Sequence, residues 1–157
     1  MNADDARLLR ALLSTRPVGS LATLHGGEPA VSMVPFVLPR GDTRLFIHVS
    51  ALAPHTRDIR AHPRASLLVM AEPGNGVSPQ ALPRVALQAD ASFLPRDGED
   101  HAAARDAYLA RFPDAATTFE LGDFSLVALR PVSARLVAGF GRAHALVGDG
   151  LAAWLRG

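Results

Sequence analysis

The spacing of apolar residues changes character several times along the chain. In DDARLLRALLS, residues 4–14, Ala6, Leu9 and Leu13 recur at helical spacing, with Asp4 and Asp5 at the positive end of the helix dipole, and Pro17 ends the segment. The period then drops to two. PVGSLATL, AVSMVPFVL and TRLFIHVS read as strands, separated by the turn-forming HGGEP and PRGD, and their order suggests a meander. Within TRLFIHVS, alternation sends Leu45, Ile47 and Val49 to one face and Phe46, His48 and Ser50 to the other.

Pro54 is a natural first residue for a short helix over 54–62, which Pro63 closes. RASLLVMA follows as a strand, and the Gly/Pro-rich EPGNGVSPQALP leads to another, RVALQADASF, with Val85, Leu87, Ala89, Ala91 and Phe93 on one side. Residues 97–112 are expected to form a helix capped by Asp97, with Ala104, Tyr108 and Phe112 on one stripe and Pro113 beyond its end. FSLVALRP and SARLVAGFG supply two further strands. Seven or so strands in meander order with short helices predict one antiparallel barrel domain over residues 1–157, not a parallel βαβ sheet.

Composition narrows the chemistry. The chain has no cysteine, which excludes disulfides, thiolate nucleophiles and zinc-thiolate sites. All 16 basic residues are Arg, yet they are scattered and the net charge is +1, so nucleic acid is not an expected partner. No apolar run approaches the roughly 20 residues of a membrane span. The charged N-terminal segment does not resemble a signal peptide, and the expected location is cytoplasmic.

His48, His55 and His62 recur every seven residues. They are placed on a strand, at a helix start and against a helix-ending proline, so they share no face and no metal site is expected. GFGR at 139–142 lacks the third glycine of a dinucleotide fingerprint and is read as a strand bend at Gly139 and Gly141. No GxSxG elbow is present.

SALAPHTRD carries more chemistry. A helix starting at Pro54 leaves the N–H groups of His55, Thr56 and Arg57 without intrahelical acceptors. Together with the hydroxyls of Ser50 and Thr56 and the charge of Arg57, they can converge on one phosphate. The alternative is an ordinary helix start in which Thr56 and Arg57 are solvated.

The ordered segments GSLATLHGGEPAVSMVPFV, LFIHVSALAPHTRDIRAHPRASLLV, PRVALQADASF, YLARFPDA, FSLVALRP and VAGFGRAH resemble the pyridoxamine 5′-phosphate oxidase-like, FMN-binding split-barrel superfamily. The likeness runs over residues 8–148 and is nearest to the branch that contains haem-utilisation (haem-degrading) proteins. It implies a mainly β protein with short helices, an antiparallel Greek-key split β-barrel that forms a homodimer with cofactor sites at the subunit interface.

By that resemblance, the ring of FMN lies against Ser32 to Phe36, with Met33, Val34 and Pro35 in contact. Ser50, His55, Thr56 and Arg57 hold the phosphate, joined by Arg84. The oxidases' Arg and Lys on the second strand and their Ser-Arg-Lys triplet in the turn are replaced here by SMVPFVL and APHTR. This removes charge-assisted phosphate contacts. For haem, the donor expected after the GFGR motif is His144. Three functions follow from the resemblance: a flavin-dependent oxidoreductase of unknown substrate, a haem-binding or haem-degrading protein, or a cofactor-free dimeric binding module.

Overall fold

The computed structural model describes residues 2–74 and 76–156; Asn75, within the expected Gly/Pro-rich loop, lies outside them. Seven strands form one antiparallel sheet: β1 (Val18–His25), β2 (Glu28–Pro35), β3 (Leu45–Ser50), β4 (Arg64–Met70), β5 (Arg84–Phe93), β6 (Phe124–Gly139) and β7 (Arg142–Val147). Among the described residues five α-helices accompany it: α1 (Ala3–Thr15), α2 (Pro54–Ala61), α3 (Glu99–Arg111), α4 (Ala116–Phe119) and α5 (Gly148–Arg156). The sheet curls into a half-barrel of the split-barrel type, as expected.

The strand order β2-β1-β4-β5-β6-β3, with β7 paired to β6, corrects the simple meander. β1 and β2 do form a hairpin, closed by Gly26 and Gly27 at φ +59° and +89°. Those left-handed angles give the two-residue turn whose twist matches the strands, and glycine adopts them without strain. β3, by contrast, is not paired with β2: Val37, beyond the end of β2, makes an isolated bridge to Phe46, and β3 runs along β6 from Leu45↔Leu129 to Ser50↔Phe124.

Other boundaries also differ. FSLVALRP and SARLVAGFG are one strand, β6, which passes Pro131 because the register slips where Gln88 faces Ser133 and Ala89 faces Pro131. A bulge is where a strand tolerates a residue with no N–H to give. Gly139 and Gly141, at φ +150° and +72°, turn β6 into β7 as the bend reading requires, but β7 and α5 themselves carry too weak a pattern to be expected. The cap of α3 is Gly98 with no side-chain bond, so Asp97 does not cap it.

Two apolar cores result. Leu21, Val34, Leu45, Ile47, Leu67, Leu87, Leu129 and Leu136 fill the half-barrel under Leu9 and Leu13 of α1. Phe46, Leu126 and Ala128, on the opposite faces of β3 and β6, pack against Ala104 and Tyr108 of α3. β3 is therefore covered on both sides, which fixes where it delivers Ser50.

Candidate functional site

The turn after β3 is built as a self-satisfied corner. The Thr56 hydroxyl donates to the Ser50 carbonyl at 2.6 Å, and the Thr56 N–H donates to the Ala53 carbonyl at 3.1 Å. The Ser50 hydroxyl donates to Asp123 Oδ2 at 2.7 Å while accepting from the Leu52 N–H at 3.1 Å. Thr56 is buried at 1% exposure, so its side chain faces the fold and not a ligand. His55 is half-buried and Arg57 is exposed. Of the six groups read as converging on a phosphate, the two hydroxyls and the Thr56 N–H are thus committed internally, and a carboxylate stands beside Ser50.

The remaining expected residues lie elsewhere. Val34 is 3% exposed and its side chain belongs to the barrel core, whereas Met33, 64% exposed, stands on the outer face opposite Ser20. Pro35 is half-buried at the end of β2. Met33 lines a shallow groove of about 220 Å³ with Arg16, Val18, Leu68 and Met70. The Arg84 guanidinium donates to the carbonyls of Leu82, at 2.9 Å, and Gln80, at 3.3 Å. Arg84 pairs with Met70, at the end of β4 remote from α2, so one chain does not bring Arg84 to the 55–57 turn.

Sequence reasoning missed a polar cluster on the other end of β1. Asp58, on the buried face of α2 and 5% exposed, accepts the Thr23 hydroxyl on Oδ2 at 2.8 Å and meets His25 Nδ1 with Oδ1 at 2.7 Å. Desolvation acts to raise its pKa, but the hydrogen bonds from His25 and Thr23 outweigh this and hold the carboxyl below its ordinary value. The His25 ring is 61% exposed. A carboxylate only accepts, so Nδ1 of His25 carries the hydrogen in this pair. The signal in sequence is faint: a polar residue where α2 should show an apolar one, and a histidine just before Gly-Gly.

His144, on β7, lies with Nε2 2.7 Å from Oδ2 of Asp5, a carboxylate of α1 that is 1% exposed. It ties β7 to α1. His48 is half-buried, stacked on Phe119 at 3.8 Å between ring centres and edge-on to Tyr108. Burial, then repulsion from Arg96 and His101, pushes its pKa down to about 4, so it stays neutral. The three histidines at spacing seven are not brought to one face.

A family model described as pyridoxamine 5′-phosphate oxidase matches residues 7–138, and the chain belongs to that family. Among its relatives, the chain is 35% identical over 145 residues to a chloroplastic heme oxygenase, HOZ, of Arabidopsis thaliana, covering 90% of this chain and 42% of that protein. It is 31% identical over 133 residues to heme oxygenase HutZ of Vibrio cholerae, covering 83% and 74% respectively. A heme binding protein from Mycobacterium smegmatis superposes with a TM-score of 0.85 at 34% identity, covering 98% of this chain and 62% of the other. The chain thus spans less than half of the plant relative and under two thirds of the mycobacterial one.

Proposed function

We propose that this chain binds an iron porphyrin and belongs to the haem-degrading side of its family. The observation that carries the reading is the turn itself. A flavin phosphate seated there would meet hydroxyls already bonded within the fold and the Asp123 carboxylate next to Ser50, with Arg57 as its one free cation among the residues expected to hold it. Haem needs no phosphate cradle, only an axial donor to the iron and an apolar surface. The names carried by the plant and Vibrio relatives support the same choice.

Haem iron supplies the oxygen chemistry when bound, and the protein's part is to hold and orient it. We further propose that the binding site is completed by a second copy of the chain. The outer face of β1, β2 and β4 exposes Val31 at 72% and Met33 at 64%, with Ala22, Ser20 and Leu68 between or beside them in register. A flat apolar face on an edge strand is stable in water when covered.

The flavin reading keeps one supporting observation: α2 begins with Pro54 at its first turn and carries exposed Arg57 there. A single experiment separates the two. The purified protein is titrated with ferric protoporphyrin IX and, separately, with FMN. The haem reading expects a Soret band that saturates at one porphyrin per chain and decays in air with a reductant; a two-band flavin spectrum with no porphyrin uptake would overturn it.

A further inference from the structure

We infer that the groove between α1, the loop joining β2 to β3, and α5 binds a small amphipathic anion, a carboxylate or phosphate head carried on an apolar body. The hollow measures about 410 Å³, and Arg10 of α1, Arg40 of the loop and Arg156 of α5 stand around it. Leu38, Pro39 and Leu155 give it an apolar wall. Past Arg40 and Arg156 it continues into a second hollow of about 470 Å³. Concave surfaces of this size, apolar with a few charged groups, take ligands of metabolite size.

The three elements that carry the arginines are each held in place. α5 packs on α1, with Leu155 4% exposed in the barrel core and Arg156 exposed beside it. In the loop, the Asp42 N–H donates to the Pro39 carbonyl at 3.1 Å, closing a turn with Arg40 and Gly41 at its tip. Arg40 is thus presented from a fixed corner.

Charge complementarity selects the ligand. The whole chain has a net charge of +1, yet three guanidinium groups face one hollow whose lining holds no carboxylate. The acidic residue of the loop is already engaged: Asp42 Oδ1 accepts the N–H groups of Thr43 and Arg44 at 2.7 and 2.9 Å, and both its oxygens meet the Arg44 guanidinium. Arg10 and Arg156 have no acidic residue three or four positions away in their helices, the spacing at which helical ion pairs form. Among the described residues, none of the three enters an ion pair.

Like charges gathered without a counterion are relieved by an anion, and the guanidinium fork fits the paired oxygens of a carboxylate or phosphate. An inorganic anion would use the cations and leave the apolar wall in water, so the apolar body is part of the inference. None of these residues belongs to the 50–57 turn or to the outer face of β2, and the inference is independent of the porphyrin reading. The competing role is three solvated side chains that share a surface by chance.

A dye-displacement titration separates the two. The full chain is titrated with 8-anilinonaphthalene-1-sulfonate, an aromatic sulfonate that fluoresces on leaving water, and the dye is displaced with octanoate, decanoate, decyl phosphate or inorganic phosphate. The expected result is saturable dye binding, displacement that strengthens about three- to fourfold per methylene from octanoate to decanoate, comparable displacement by decyl phosphate, and little by inorganic phosphate. Arg40→Gln and Arg156→Gln, both at exposed positions, should each weaken decanoate about fivefold with the thermal midpoint unchanged. Arg135→Gln, which removes an exposed arginine of β6, should leave it unaltered. Absence of dye binding, equal decanoate affinity in the two groove variants and the wild type, an equal loss in Arg135→Gln, or displacement by inorganic phosphate as strong as by decanoate overturns the inference.

Discussion

At the scale of single residues, several buried polar groups stabilise corners. Thr56 shows the distinction: its hydroxyl ties the start of α2 to the carbonyl of Ser50 and is buried. Thr56→Val is therefore expected to lower unfolding free energy by about 1 kcal/mol in urea denaturation, the usual net worth of one such bond, with no change in porphyrin affinity. His48 makes the second residue-scale prediction. Its folded pKa of about 4 lies below the ordinary 6.5, so the unfolded chain binds the extra proton. That difference favours the fold fully above pH 6.5 and is lost as pH falls toward 4. A melting series over that range should show the midpoint dropping with acid, less steeply in His48→Phe; equal slopes would remove His48 as the source.

The elements were legible in unequal measure, for reasons that lie in particular residues. α1, α2, β1, β2, β4 and β5 announce themselves because each has a one-sided apolar pattern and a proline or glycine at its limits, and β3 by its apolar run alone. β7, RAHALV, alternates small residues against a half-covered face, and its burial comes from α1 and β6, which the sequence does not place next to it. The partnership of β3 with β6 is likewise tertiary: both strands are apolar on two faces because α3 covers the second. The half of the candidate site that sequence could supply was the 50–57 turn, located by Pro54. Its chemistry was not legible, because what occupies the Ser50 hydroxyl, Asp123, lies 73 residues away, and Asp58 meets His25 across 33.

The prediction that belongs to the element scale concerns β2. Its outer positions Val31 and Met33 stand on the edge of the sheet beside small residues. Charges placed there oppose burial against any second copy. Val31→Asp with Met33→Glu should convert a sedimenting dimer to a monomer while leaving the far-ultraviolet circular dichroism unchanged, since both side chains point away from the core. A dimer that survives the pair would move the interface to another face.

At the scale of the whole molecule, family membership and an internally satisfied turn bear on one question, whether a porphyrin or a flavin is held. Among the described residues no helix is long and apolar enough to cross a membrane, and the exposed apolar side chains include Val31 and Met33 on β2 and Leu52 and Phe140 in turns. A phosphate ester would meet a turn whose hydroxyls are already bonded within the fold, and this favours the porphyrin reading. The most direct measurement is parallel titration of the wild-type protein with ferric protoporphyrin IX and FMN, followed by absorption. A saturating Soret band at one porphyrin per chain, with little or no FMN uptake, is the expected result; tight FMN uptake with no porphyrin binding would contradict it.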